Sequence, residues 1–297
     1  MHPGYHSSRY AQSMTVERKI PVQHHHAHIA SMLLGRRIKK PVIGIAFDGT
    51  GYGSDAAIWG GEFLVVSEKG FTRLAHFKYL KMPGAERAIQ EPWRMAFSLL
   101  FDTLGEKMFG YNFRSLRFAS KESYGILLRM IRQNINSPPT SSAGRLFDAV
   151  SSLLDVCHSI HSEAEAAIKL EKLAAQSSDT GWYDFDVMTK IQPYTISYNS
   201  FIRAIIGDMR RGVPTHDIAR KFHNSLARLI THVAGHIRRS YRLRDVVLSG
   251  GVFSNALLSE FTKKKLIDAG FNLIYNKESP VNDVGICTGQ VYVALHT

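Results

Sequence analysis

The sequence predicts an α/β protein of two lobes that share one cleft, and three observations carry that prediction. The cluster His24-His25-His26-Ala27-His28 opens an apolar helical pattern, and a compact strand runs into the glycine-rich segment Asp48-Gly49-Thr50-Gly51-Tyr52-Gly53. Near the other end, Ser249-Gly250-Gly251 and Asn282-Asp283 answer with a second glycine turn and a second carboxylate. A metal held by histidine and carboxylate, flanked by two phosphate-holding turns, is the reading that unites them. A chain of 297 residues is long enough for two lobes, since roughly 75% of the unfolded surface is buried near the size at which one core divides into two.

In chain order, residues 6–14 suit a short helix and Ile20-Pro21-Val22 a brief strand. Residues 24–34 lack alternation, while Ala27, Ile29, Ala30, Met32, Leu33 and Leu34 suit a helix closed by Gly35. On it His24 and His28 are four residues apart and share a face, so both imidazoles can reach one ion. Two imidazoles with a carboxylate oxygen suit iron, zinc or manganese; a merely polar helix start is the alternative. Pro41-Val42-Ile43-Gly44-Ile45-Ala46-Phe47 is a strand expected to end at Asp48, a candidate ligand of the ion or its water, with Thr50 supplying a hydroxyl. The glycines between permit close approach of backbone amides to phosphate, although a hairpin turn accounts for them equally well.

The segments 56–59, 62–66 and 72–77 continue as a meander of strands. Strand, glycine turn and meander together resemble the opening of an actin-like or sugar-kinase-like ATPase lobe. No G-x-G-x-x-G and no G-x-x-x-x-G-K-[ST] is present, which argues against a dinucleotide-binding unit and a P-loop. Glu91-Pro92-Trp93-Arg94 starts a helix through Leu104. Residues 110–178 read as mainly helical, with a hydroxyl-rich turn over 136–144; Glu163 and Glu165 precede an alanine-rich helix whose dipole explains them without a ligand. A short strand around Tyr194, Ile196 and Tyr198 leads to helices over 199–210 and 214–240. Val246-Val247-Leu248 is a buried strand, followed by the Ser249-Gly250-Gly251 turn and a helix over 253–269. That helix N-terminus can hold phosphate or ribose oxygens, and Asn255 can hydrogen-bond a nucleotide. Residues 271–275 form a last strand, and Asp283 either binds the ion or caps the terminal helix. The expected division is residues 1–40 as the remainder of a first lobe with the histidine helix, 41–108 as the start of a second α/β lobe, 109–240 as a mainly helical insertion, and 241–297 as the end of the second lobe.

Composition is that of a folded chain, 44% hydrophobic and 21% charged. A formal net charge of +12 favours anionic partners. The basic runs at 36–40, 210–211, 238–239 and 263–265 lack interleaved aromatics, so nucleic acid is not an expected partner. Cys157 and Cys287 are the only cysteines, too few for a disulfide framework or a cysteine zinc cluster. The apolar runs are too short for a membrane span and the first residues lack a signal peptide's apolar core, so a cytoplasmic protein without a membrane partner is expected.

Taken in order, Val22-Gln23-His24-His25-His26-Ala27-His28, Asp48-Gly49-Thr50-Gly51-Tyr52-Gly53, Trp59-Gly60-Gly61-Glu62-Phe63, Glu91-Pro92-Trp93-Arg94, Ser141-Ser142-Ala143-Gly144-Arg145-Leu146-Phe147-Asp148, Ser249-Gly250-Gly251-Val252-Phe253 and Asn282-Asp283 resemble the C-terminal transferase region of the nickel-iron hydrogenase maturation carbamoyltransferase. His2-Pro3-Gly4-Tyr5-His6-Ser7-Ser8 also resembles a turn of that region, and the likeness runs nearly end to end. The family is related to the universal tRNA threonylcarbamoyl transferase. The resemblance implies an actin-like ATPase (ribonuclease H-like) two-lobed fold with a helical insertion and a first lobe incomplete at its N-terminus. It implies transfer of a carbamoyl group from carbamoyl adenylate to the C-terminal cysteine thiol of a hydrogenase maturation partner, for cyanide ligand synthesis. A separate chain would complete the first lobe and supply the adenylate.

By the same resemblance His24, His28 and Asp283 hold one divalent metal ion, with Asp48 as a fourth ligand, and these four form the catalytic set. Gly49, Thr50, Gly51, Gly250 and Gly251 hold the phosphate of ATP or carbamoyl adenylate, with magnesium as a further candidate ion. Asn255, Asp148 and Glu163 lie nearer the nucleoside. Ser162-Glu163-Ala164-Glu165-Ala166-Ala167 departs from the family's usual Tyr-Glu-Gly-Gln-Ala-Ala, and Gln90 replaces an arginine common before Glu-Pro-Trp-Arg. The alternatives are an O-carbamoyl or tRNA threonylcarbamoyl transferase, and a catalytically reduced nucleotide-binding assembly protein.

Overall fold

The computed structural model describes residues 6–34, 38, 40–67, 70–118, 120–276 and 279–297. The stretch His2-Pro3-Gly4-Tyr5, the helix-closing Gly35 and the basic residues Arg36, Arg37 and Lys39 lie outside the described residues.

The helices are α1 (His6–Ser13), α2 (His24–Ser31), α3 (Arg87–Gln90), α4 (Pro92–Leu104), α5 (Lys121–Gln133), α6 (Ala143–Leu153), α7 (Glu165–Ala174), α8 (Asn199–Arg210), α9 (Thr215–Tyr241), α10 (Ala256–Asp268) and α11 (Ile286–Leu295). The strands are β1 (Val42–Tyr52), β2 (Ile58–Ser67), β3 (Gly70–Phe77), β4 (Leu80–Lys81), β5 (Pro139–Thr140), β6 (Asp186–Met188), β7 (Tyr194–Ser197), β8 (Asp245–Ser249) and β9 (Asn272–Ile274). They form one mixed sheet in the order β6-β7-β3-β2-β1-β8-β9, with β5 pairing both β2 and β4. The three strands β1, β2 and β3 are the antiparallel meander read from the sequence. Against β1, β8 runs parallel with Ala46 opposite Ser249. Parallel strands end on the same side, so the carboxyl end of β1 and the glycine turn after β8 become neighbours although some 200 residues separate them in the chain.

β1 is buried on both faces, and its period of two sorts its side chains. Ile43, Ile45 and Phe47 join the large core beneath α4, α6 and α9. Val42 and Ala46 join a second core with Ala27 and Ile29 of α2 and Tyr292 and Val293 of α11. Asp48, two residues beyond Ala46, continues that second face and is thereby delivered under the histidine helix. α2 and α11 meet at a close crossing at Gly289: a Cβ there would lie 1.8 Å from the Ala27 carbonyl oxygen.

The strand does not stop at Asp48. β1 continues to Tyr52, with an irregularity between Phe47 and Gly51 where it meets β2, and the hairpin turn comes later, with Gly53 N donating to Ala57 O at 2.9 Å. The mainly helical stretch also returns to the sheet through β5, β6 and β7, of which only β7 was legible. Among the described residues no helix is long and apolar enough to cross a membrane.

Candidate metal and nucleotide site

Gln23 opens α2, its side-chain oxygen accepting from His26 N at 2.9 Å as an N-cap. Its amide nitrogen donates to Tyr52 O at 3.1 Å, tying the helix start to the far end of β1. This fixes the helix rotation that sends His24 and His28 towards Asp48. From the chain's end, the turn Asp283–Gly285 before α11 brings Asp283 to the same place, and neither that turn nor α11 uses a side-chain cap.

His24 Nε2 lies 3.1 Å from Asp48 Oδ2 and 3.7 Å from Asp283 Oδ1. His28 Nε2 lies 3.7 Å from Asp48 Oδ2 and 3.2 Å from Asp283 Oδ1. One ligand atom from each of the four falls within 4.8 Å of all the others. Ligands about 2.1 Å from a tetrahedral ion stand about 3.4 Å apart, so the four histidine–carboxylate separations suit a four-ligand centre. The buried His28 Nε2 faces both carboxylates, a geometry in which an ion takes the place of the proton that the metal-free ring holds between them. Its other nitrogen, Nδ1, is 3.4 Å from Ser249 Oγ, which donates to Val281 O at 3.2 Å. A hydroxyl that accepts from Nδ1–H fixes the tautomer whose Nε2 is free to ligate. The donor set therefore fits a divalent ion.

Without an ion the cluster stores opposed charge. Burial pulls the His28 pKa down, but the carboxylates of Asp283 and Asp48 outweigh it and raise it to about 9. Burial likewise pushes Asp48 up, and the two histidines more than reverse this, holding it well below the usual carboxylate range.

The glycine segments frame this cluster. Gly49 and Thr50 are half-buried and Gly51 is buried. Gly51 packs against His24 and His25, where a Cβ would come within 2.3 Å of the His25 ring. Gly250 has φ 102°, a left-handed value that glycine adopts freely, and a Cβ there would strike Phe47 O at 2.2 Å. The N–H of Gly251 donates to Asp48 Oδ1 at 3.0 Å, so it orients the metal-facing carboxylate.

Asp148 lies on α6, buried beside Arg145, with Nε 2.8 Å from Oδ2. Burial raises its pKa despite that cation. Asn255 caps α10 through Leu258 N at 2.8 Å. Glu163 is exposed in the turn before α7. Beside it Ala164 sits at φ 56°, ψ 14°, a left-handed conformation that costs roughly 1–2 kcal/mol without glycine. The family's glycine at this position thus has a backbone reason. Ala164→Gly is expected to raise unfolding free energy by about 1 kcal/mol, read by chemical denaturation.

Two features escaped the sequence reading. The Arg145 guanidinium lies beside Gly49, with Nη2 3.9 Å from where a Gly49 Cβ would be. Second, Glu62 is fully buried and accepts from Gly60 N and Gly61 N at 3.2 Å each, from Ser141 Oγ at 2.5 Å and from Arg73 Nε at 2.6 Å. Arg73 stacks 3.8 Å over the Trp59 ring, so this network clamps β2, β3 and the turn before α6 around Asp48. Both lie within motifs quoted above, but only the fold reveals that their charges are buried.

Fold and site together define an actin-like ATPase fold of the Kae1-like kind, carrying a histidine–aspartate cluster beside the central strand β1. The family described as carbamoyltransferase, Kae1-like domain, second subdomain, matches residues 44–290, and the HypF Kae1-like domain matches residues 1–35. The chain is 34% identical to the carbamoyltransferase HypF of Synechocystis sp. over 99% of its own length and 39% of that protein's. It is 32% identical to a carbamoyltransferase HypF homolog of Cupriavidus necator, covering 99% of this chain and 76% of that one. The crystal structure of full-length HypF in its phosphate- and nucleotide-bound form matches with a TM-score of 0.92 at 39% identity, over 99% of this chain and 45% of that one. A tRNA N6-adenosine threonylcarbamoyltransferase of Staphylococcus epidermidis is 28% identical over 40% of this chain and 38% of its own length. The chain belongs to the carbamoyltransferase HypF family. It spans about two fifths of the length of the full-size relatives such as the Synechocystis protein.

Proposed function

We propose that this chain carries the carbamoyl-transfer site of a hydrogenase maturation enzyme, moving a carbamoyl group from carbamoyl adenylate to the C-terminal cysteine thiol of a partner protein. The observation that carries the reading is the convergence of His24, His28, Asp48 and Asp283 within 4.8 Å, between the two glycine segments, in a chain of the HypF family. The nucleotide and phosphate bound by the full-length HypF neighbour support a nucleotide ligand here.

In this reading the four residues hold one divalent ion, which when bound supplies a positive charge that orients phosphate or polarises the carbamoyl oxygen. Iron, zinc and manganese all suit the donors. The segments at Gly49, Thr50, Gly51, Gly250 and Gly251, without side chains at the four glycines, leave room for the phosphate to approach, and Arg145 beside Gly49 adds a fixed cation where negative charge gathers. Asp148, Asn255 and Glu163 serve the nucleoside side. The acceptor thiolate attacks the carbamoyl carbon, a C–S bond forms, the C–O bond to phosphate breaks, and AMP leaves with the electron pair. A second chain that supplies the adenylate is part of the proposal.

The test mixes the chain with carbamoyl adenylate, a divalent metal and a maturation partner ending in cysteine, then weighs the partner by intact-protein mass spectrometry. The expected result is one carbamoyl group on the terminal cysteine. No adduct, with the upstream region of a full-length relative also supplied, would reject the reading. The tRNA threonylcarbamoyl alternative has the shorter likeness in its favour and is refuted by the same adduct.

A further inference from the structure

The amide of Asn255 is held at both ends, and the residue that holds one end lies on a different helix. Its Oδ1 accepts from Leu258 N at 2.8 Å, the N-cap of α10. Its Nδ2 lies 3.2 Å from Nε2 of His223, on α9, and that ring's Nδ1 lies 2.8 Å from the Ala219 carbonyl oxygen one turn earlier. A carbonyl oxygen can only accept, so Nδ1 carries the proton and Nε2 the lone pair. The lone pair in turn requires an N–H from Asn255. Each assignment along this chain forces the next, so the amide has one orientation. His223 is fully buried, wedged edge-on against Phe147 and Phe222. Burial, offset only partly by the Ala219 carbonyl and reinforced by the neighbouring Arg220 cation, keeps the ring neutral, with a pKa lowered to about 4.

We infer that His223 is a positioning residue for nucleotide binding: by accepting one Asn255 N–H it fixes the amide so that the other N–H is presented to a nucleoside or ribose oxygen. That second N–H has no acceptor among the described residues. The inference rests on the proposed contact of Asn255 with nucleotide, and it extends that contact to a residue of α9.

Three variants and one spectrum test it, with ATP as the probe in calorimetry on the intact chain and melting followed by circular dichroism. Asn255→Asp keeps the capping oxygen but loses the donor; it should weaken ATP binding at least tenfold. His223→Leu keeps the volume but leaves the amide held at its oxygen alone, and should weaken binding about tenfold. His223→Gln restores an acceptor and should return the affinity to within about threefold of wild type. In a transfer assay the His223→Leu effect should fall on KM for the nucleotide substrate rather than on kcat. Nitrogen-15 NMR of the wild-type ring should report the Nδ1–H tautomer, a readout that stands even if His223→Leu does not fold. If Asn255→Asp weakens binding while both His223 variants bind as wild type, or if the ring is the Nε2–H tautomer, the inference is overturned. If Asn255→Asp binds as wild type, the nucleotide contact beneath it is what fails.

Discussion

The double variant His24→Ala, His28→Ala is expected to take up no stoichiometric metal and still fold. Each imidazole contributes one Nε2 to a cluster whose other members are two carboxylates from distant parts of the chain. Removing an outer-shell partner alone costs roughly 10–100-fold in metal affinity, so removing two direct ligands should reduce occupancy from about one ion per chain to background. The helix survives because Ala27, Ile29 and Ala30 hold it to Val42, Ala46 and Leu64. Asp48 keeps the Gly251 N–H, limiting the stability loss to about 1–3 kcal/mol. Carbamoyl transfer should fall below detection in the same preparation. Wild type carries its own pH signature. With the metal-free His28 pKa raised to about 9, an ion entering below that pH must displace a proton. Its affinity should therefore fall by up to about tenfold for each unit the pH drops beneath 9. Plasma mass spectrometry of dialysed protein measures both effects, and unchanged occupancy in the double variant would refute the assignment.

Gly289→Ala should also weaken metal binding, and without altering any ligand. The glycine is where α11 crosses α2, and an added methyl carbon would lie 1.8 Å from Ala27 O, 2.7 Å from Ala27 C and 2.9 Å from Ser31 N. All three are backbone atoms, so no side chain can rotate away and the helices must separate. α2 carries His24 and His28, while Asp283 belongs to the turn that leads into α11. A wedge between the helices therefore moves the Asp283 carboxylate away from His28, now 3.2 Å distant. Overpacking of this kind costs about 1–3 kcal/mol or more, and the expected metal affinity falls by at least about tenfold, in line with loss of ligand orientation. Metal titration with a thermal melt on the same sample separates the two effects. A variant that melts lower but binds metal as wild type would show that α11 does not set the Asp283 position.

Much of this architecture was legible because its signals are local. The 3.6-residue spacing from Ile218 through Phe222 and Leu226 marked α9, and the bounds read for α8 match those observed. The four-residue spacing of His24 and His28 already placed them on one face. By contrast β5 and β6 are two and three residues long, shorter than any periodicity can register, and their pairing is decided by tertiary contacts. The continuation of β1 through Gly49 and Gly51 was hidden because glycine reads as a turn, whereas here pairing with β2 resumes after the irregularity. Within the site, the helix and turn motifs named Asp48 and Asp283 as candidates, but only the parallel pairing of β1 with β8 explains why both reach α2. Arg145, Glu62 and His223 stayed invisible as site-shaping residues, because burial of a polar side chain leaves no mark in sequence spacing.

The central claim, that both ends of the chain meet at one ion, is tested most directly by the crystal structure of metal-loaded protein with anomalous data at the metal edge. The account predicts a single ion bound by His24 Nε2, His28 Nε2, Asp48 Oδ2 and Asp283 Oδ1 at about 2.0–2.2 Å. An ion seated elsewhere, or one held by α2 without the Asp283 carboxylate, would contradict it.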